Sequence, residues 1–189
     1  MKFFLNLALP ALAVLLALPV PARAAKPAAR AESVYTSLAP GDCKRGEGPG
    51  IEGDPDSIRE NCPGTADHRL VVINEDQKMS VSIVTPDGKE HPLSFWSVIT
   101  RRFSSLGEKA EWRVVQVDGK PVPAALIVPV NAYEDANNPY KETPYLAVAK
   151  IAPPEFCVTD RIPPGPKAAA AARKAADEAA AKACLKKLP

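Results

Sequence analysis

The chain has 189 residues, with 24 Lys and Arg against 22 Asp and Glu and two His. Two of the cations, Lys2 and Arg23, lie in an N-terminal stretch without an acid, so beyond it the count is 24 − 2 = 22 against 22 and the formal net charge is zero. That balance argues against a general nucleic-acid binder, which needs surplus Lys and Arg to displace counterions from phosphates. Two histidines and no Cys-x-x-Cys leave little for a metal or thiol-redox centre, and no cofactor is expected.

Taken in order, Lys2, the apolar run Phe3 to Leu18 and Ala22-Arg23-Ala24 read as an export signal spanning residues 1–24, cleaved after Ala24 or Ala25. Pro10 and Pro19 interrupt the run, whereas a stable membrane span needs about 20 unbroken apolar residues. No cysteine stands at the cleavage site to carry a lipid. The mature chain is therefore expected to be soluble and periplasmic, with no integral membrane segment once the signal is removed. In an oxidising compartment four cysteines imply two disulfides. Of the three connectivities, Cys43 with Cys62 and Cys157 with Cys184 is preferred, because each pair brackets a segment of weak intrinsic structure.

Residues 25–32 have nothing to bury and are read as a flexible lead-in. Order is expected from Ser33-Val34-Tyr35-Thr36 onward, a short strand-like run. Ala39 to Gly64 is dense in Gly, Pro and charge, which predicts one long irregular loop. Its acids Glu52, Asp54 and Asp56 suggest calcium, but Pro55 and the missing later oxygen ligands spoil an EF-hand pattern, so an exposed acidic loop is the expectation.

The sheet is predicted next: Arg69 to Ile73, a polar turn at Asn74 to Gln77, and Lys78 to Val84, whose Met79, Val81 and Ile83 alternate with serines. Thr85-Pro86-Asp87-Gly88 is a turn. Pro92 to Thr100 is a strand, or a strand followed by a short turn of helix. After a break at Ser104 to Gly107, Glu111 to Val117 is a strand that Asp118-Gly119 joins to Pro121 to Val130. Because Pro121, Pro123 and Pro129 cannot donate to a ladder, this returning strand is expected to lie at a sheet edge or to start and stop at these residues. A polar loop at Glu134 to Glu142 leads to strands at Tyr145 to Ile151 and Phe156 to Val158. Short connections without intervening helices predict an antiparallel sheet, sandwich-like or curled into a partly open barrel.

Arg161 to Pro166 reads as a rigid Pro-rich linker, and Lys167 to Ala183 as an alanine-rich helix with high intrinsic propensity. Its charges Lys174, Glu178 and Lys182 recur every four residues in a single stripe. From Arg161 onward there are seven basic and two acidic residues, which leaves 22 − 7 = 15 basic against 22 − 2 = 20 acidic in residues 25–160. That asymmetry predicts a tail drawn onto the domain, with the alanine face docking closely and Cys184 clamping the far end. The organisation expected is thus one mainly β domain over 33–160 in an α+β chain, with 161–189 as linker and docked helix, and a monomer.

No Gly-x-Ser-x-Gly elbow, Gly-rich phosphate loop or His-Glu-x-x-His is present, and no catalytic residue is assigned. His68 and His91 read as solvated surface histidines. The most distinctive cluster is Trp96, Arg101, Arg102 and Phe103 together with Glu111-Trp112-Arg113. In the latter run Trp112 is expected in the core, with Glu111 and Arg113 on the outer face pairing across strands. Trp96, Arg101 and Arg102 are the candidate binding residues, a recognition surface for an envelope protein or glycan. The alternative is a hydrolase acting on envelope material through Glu108 and Glu111.

Tyr35-Thr36-Ser37-Leu38 before Cys43, Cys62-Pro63-Gly64, Phe103 to Gly107 leading into Glu111-Trp112-Arg113, and Cys157-Val158 before a helix ending at Cys184 resemble a family of uncharacterised exported proteins of Gram-negative bacteria. The resemblance covers nearly all of the mature chain. It implies export and a single domain, and assigns no activity, cofactor or partner. The Pro-rich linker and the alanine-heavy helix depart from that pattern.

Overall fold

A computed structural model describes residues 31–46 and 58–189. The stretch read as an export signal, most of the expected lead-in and the acids Glu52, Asp54 and Asp56 lie outside the described residues. The chain forms β1 (Glu32–Ser37), β2 (Lys44–Arg45), β3 (Ile58–Cys62), β4 (Arg69–Glu75), β5 (Lys78–Val84), β6 (Glu90–Pro92), α1 (Phe95–Val98), β7 (Ser104–Leu106), β8 (Lys109–Val117), β9 (Lys120–Ala132), β10 (Thr143–Ala152), β11 (Glu155–Ile162) and α2 (Ala168–Asp177), followed by a 3-10 turn at Ala179–Ala181. All strands join one curled, open sheet, antiparallel throughout except for a single parallel bridge between Lys78 and Ser104. Both disulfides have the preferred pairing, with Cα atoms 4.3 Å apart for Cys43–Cys62 and 5.7 Å for Cys157–Cys184.

The expectation that β9 lies at an edge is overturned: it is the hub, paired with β8, β7 and β10. The prolines fit for a local reason. Asp118 and Gly119 both have positive φ, as a tight two-residue hairpin requires. Such a turn makes Val117 and Lys120 the first hydrogen-bonded pair, and the alternation of an antiparallel ladder then turns Pro121 and Pro123 away from β8. β10 reaches only to Ala125, so no strand waits on that side for the missing N–H groups. Pro129 sits where β8 gives way to β7, and its carbonyl accepts from Gly107 N–H at 3.0 Å. A Cβ on Gly107 would stand 2.8 Å from Pro129 Cβ, which is why glycine occupies the crossing.

Three other expectations change. Ala39 to Gly64 is not wholly irregular, since Ile58 to Cys62 adds to the edge of β4 and Lys44–Arg45 adds to β3; an available ladder overrides weak local propensity. The break at Ser104 to Gly107 holds the short strand β7. Arg161 and Ile162 belong to β11, paired with Ala147 and Leu146, so the linker starts two residues later. In the segment that began as strand or helix, β6 is followed by the single turn α1.

One face of the sheet closes on a core containing Leu70, Ile83, Phe95, Ile99, Trp112, Leu126 and Val130, each fully buried. A buried side chain of this size contributes roughly 1.5–3 kcal/mol. β9 and β10 are apolar on their other face as well, where Ala125, Ile127 and Val148 meet Ala172, Ala175, Ala176 and Ala179 of the C-terminal helical segment. Methyl-sized contacts let the helix axis come close to the sheet. Two of the ion pairs there realise the charge asymmetry, Arg173 with Glu111 at 2.7 Å and Lys182 with Asp160 at 2.8 Å, while in a third the tail supplies the acid, Asp177 pairing with Arg113 at 2.8 Å. The predicted stripe is cut short, because α2 ends at Asp177; Lys174 does reach Glu178 at 2.7 Å, whereas Lys182 lies beyond the helix in extended backbone.

Beyond Cys184 the tail continues across the core margin. Leu185 N–H donates to Val158 O at 2.8 Å, Leu188 N–H to Ser97 O at 2.8 Å, and Arg101 Nη2 to Leu188 O at 2.5 Å. Among the described residues no helix is long and apolar enough to cross a membrane.

Candidate functional site

Glu111, Trp112 and Arg113 separate by strand alternation as expected. Trp112 is fully buried and donates from Nε1 to Thr36 Oγ1 at 2.9 Å. Glu111 and Arg113 share the opposite face, but their chief partners lie on α2 rather than across strands. Ser33 Oγ stands between them, donating to Glu111 Oε1 and accepting from Arg113 Nη1, each at 2.5 Å. Burial works to raise the Glu111 carboxyl, yet the hydrogen bonds from Arg173 and Ser33 outweigh it and hold the group below its ordinary range. The same carboxylate lifts the Arg173 guanidinium above its usual value. A carboxylate fixed this way is a structural ion pair, and Glu108 is exposed on the loop before β8. Neither lines any of the surface pockets described below.

The histidines are less solvated than expected. His68 Nδ1 lies 2.9 Å from Ala66 O, so it is the proton-bearing nitrogen, and the ring meets Trp112 edge-on at 6.3 Å. His91 stacks on Phe156 at 3.7 Å, where burial, helped by Lys89, lowers its basicity. Among the described residues no group of three or more His, Cys, Asp or Glu could hold a metal.

Trp96, Arg101 and Arg102 line pockets to which neither histidine nor Glu111 contributes. Trp96 is half-buried against Val71, Ile73 and Val84 on the outer face of the sheet. It shares a pocket of about 310 Å³ with Arg101 and Lys78. Arg101 and Arg102, both exposed, line a neighbouring pocket of about 410 Å³ with Phe103, Tyr133 and Pro139. Phe103, Tyr133 and Pro139 also form one wall of a third pocket of about 510 Å³, completed by Asn74, Gln77 and Tyr140. The three sequence-derived residues thus do lie on one surface, at one end of a continuous groove.

Phe103 is the centre of that groove. Its side chain is 48% exposed while its backbone is fixed, since Phe103 O accepts from Tyr133 N–H at 3.0 Å and the next residue, Ser104, donates to Gln77 O at 2.9 Å. Tyr140 is 88% exposed on the β9–β10 loop, in which Asn137 N–H bonds to Asp135 Oδ1 and Tyr140 N–H to Asn138 Oδ1. Tyr133 donates its hydroxyl to Glu142 at 2.8 Å, and that bond raises its pKa, keeping the phenol protonated. The charges around the Arg101–Arg102 pocket are mostly satisfied: Glu134 by Arg161 and Tyr145, Asp135 by Lys141, Lys78 by Asp76, and Arg101 by Leu188 O. Lys141 also holds the Asp135 carboxyl below its ordinary range. Among the described residues the Arg102 guanidinium has no ion pair or side-chain hydrogen bond.

Sequence reasoning found the arginines, Trp96 and Phe103, but missed Tyr133, Tyr140, Asn74 and Gln77. The available signal was a tyrosine directly after Asn137-Asn138-Pro139, a large ring on a loop tip with no apolar run to bury it. Comparison of the chain with protein-family models, curated proteins and solved structures finds no match.

Proposed function

We propose that the protein is a non-catalytic binding module of the periplasm, exported by the signal at residues 1–24, which recognises an envelope protein or glycan through the groove centred on Phe103. The observation that carries this reading is a half-exposed aromatic side chain on a doubly pinned backbone, flanked by Tyr140 and by the guanidinium of Arg102, which has no ion pair among the described residues. Rigid aromatic and arginine side chains are the residue types that dominate binding energy, because they offer large contact area and lose little freedom on complex formation. The two disulfides fit an oxidising compartment.

The test is affinity capture from periplasmic extract and on isolated cell-wall sacculi, with the mature wild-type protein beside Phe103→Ala, Arg102→Ala and Trp96→Ala. Phe103 and Arg102 variants are expected to lose the captured partner. Trp96→Ala is expected to weaken capture less, since the indole packs mainly on Val71, Ile73 and Val84. Equal recovery by wild type and the Phe103 and Arg102 variants would remove the groove as the binding surface. Cell fractionation tests location: a cytoplasmic, reduced protein would defeat the periplasmic reading.

A further inference from the structure

We infer that the groove takes an acidic saccharide, with a sugar ring in the half between Phe103 and Tyr140 and a carboxylate in the half under Arg102; this deepens the binding-module reading and rests on it. The two halves differ in kind although they share the wall made by Phe103, Tyr133 and Pro139. Among the described residues no charged side chain lines the Tyr140 half. Its lining is aromatic rings, Met79 and Pro139, the amides of Asn74 and Gln77, and serine hydroxyls. That combination suits a polyhydroxylated ring: aromatic faces cover the C–H face of the sugar, and neutral amides and hydroxyls exchange hydrogen bonds with its edge without stripping water from an ion. An aliphatic ligand would leave those amides without partners, which costs affinity.

The Arg102 half sets the charge of the ligand. Every carboxylate there is already engaged, Glu134 by Arg161 at 3.0 Å and Asp135 by Lys141 at 2.9 Å, and two of the three cations are engaged as well. What remains is one guanidinium, a planar fork whose natural counterpart is a carboxylate. A cationic or wholly neutral glycan would leave it unpaired. The backbone that carries each ring is held locally, Phe103 O accepting from Tyr133 N–H and Tyr140 N–H donating to Asn138 Oδ1.

The mature protein is titrated, by two-dimensional NMR of the backbone amides, with N-acetylglucosaminyl-N-acetylmuramic acid and with N,N′-diacetylchitobiose, a matched pair in which only the first bears a carboxylate. Both are expected to shift amides around Phe103 and Tyr140, the acidic one binding about tenfold more tightly, as one charge-assisted bond implies. Arg102→Gln should bring the acidic sugar down to the affinity of the neutral one and leave the neutral one unchanged. Tyr140→Ala and Phe103→Ala should weaken both at least tenfold, and an unchanged denaturation midpoint would establish that these exposed positions leave the fold intact. No shifts with either sugar, shifts confined to the His91 face, or equal weakening of both sugars by Arg102→Gln would overturn the inference. Phe103-dependent capture of a protein without sugar binding would overturn this inference alone. Absence of both would overturn the binding-module reading too.

Discussion

Replacing Cys157 and Cys184 together by serine asks what holds the C-terminal segment to the sheet. The bond closes a loop of 27 residues, for which the chain-entropy relation gives about 3.5 kcal/mol at 25 °C. The bond between Cys43 and Cys62 closes 19 residues, worth about 3.2 kcal/mol on the same relation. Globally the two are nearly equivalent, but they differ in what each keeps in place. The tail past Cys184 offers two backbone hydrogen bonds, one from Arg101 and the partial burial of Leu185. Those contacts return roughly 0.5–1.5 kcal/mol per hydrogen bond and at most about 3 kcal/mol for the leucine. Ordering five backbone residues costs about 5–10 kcal/mol against at most about 7.5 kcal/mol returned, so without the covalent anchor the tail has little or no surplus to hold it.

Helix α2 is another matter, since Ala172, Ala175 and Ala176 are buried and two ion pairs cross to β8. The double serine variant is thus expected to remain folded, to lose up to about 3.5 kcal/mol in urea titration, and to release the tail selectively. Hydrogen exchange reads this directly: the amides of Leu185 and Leu188 should exchange freely while those in the middle of α2 keep their protection. Loss of helix and tail protection in one step would refute the reasoning, because it would mean that the cystine rather than alanine packing docks the helix.

Ala176→Leu should destabilise by roughly 1–3 kcal/mol through overpacking against β9 and β10, whereas Ala171→Leu, on the exposed side of the same helix, should change the denaturation midpoint little. Gly107→Ala should cost about as much as Ala176→Leu, and Pro129→Ala in the same chain should recover little of the loss, because alanine keeps the Cβ that stands 2.8 Å from the new methyl and removes only the ring atoms at 3.1 and 3.8 Å. Arg113→Ala leaves Asp177 and the buried flank of Glu111 without their guanidinium and is expected to cost roughly 3–5 kcal/mol; Arg113→Met, which keeps the packing, should cost less. Glu111 has a folded pKa below its ordinary value near 4.5, so its contribution is fully present above that pH and is lost as pH falls through the lower folded value. The stability gap between wild type and Glu111→Gln should therefore be constant at neutral pH and narrow below about pH 4.5; a gap that widens in acid would contradict the sign.

The sheet was legible wherever side-chain periodicity and turn chemistry agreed. Met79, Val81 and Ile83 alternate and Asp118-Gly119 turns, and the strand and the hairpin appear where expected, although Ser80 and Ser82, on the face that such alternation gives to water, are fully buried. The preferred cysteine pairing was legible too, because cystines close segments that do not hold themselves. Placement within the sheet was not legible. The prolines of β9 read as edge residues, since sequence does not reveal that β10 stops at Ala125 or that β8 hands over to β7 beside Pro129. For the candidate groove, Arg101, Arg102 and Phe103 stood out as a local run. Tyr133, Asn74 and Gln77 are distant in sequence and meet them only through the β5–β7 bridge and the β7–β9 ladder.

That handover on β9 also explains why the groove exists. Had β8 continued straight along β9, residues 128–132 would face one unbroken strand and the position of Phe103 would be empty. Instead Gly107, close against Pro129, lets the chain shift so that Ser104 to Leu106 take up the vacant ladder. Ser104 anchors the arrangement from both sides, since its N–H reaches Gln77 O and its hydroxyl accepts from Met79 N–H at 3.1 Å. With its carbonyl committed to Tyr133, Phe103 is the last residue before the ladder begins. The chain there has come off α1 with no layer above it to cover the ring. An irregularity inside a sheet costs hydrogen bonds and packing, and it persists where neighbouring contacts determine it. Here Gly107, Pro129 and Ser104 do so together, and the same three residues hold the aromatic ring at the surface.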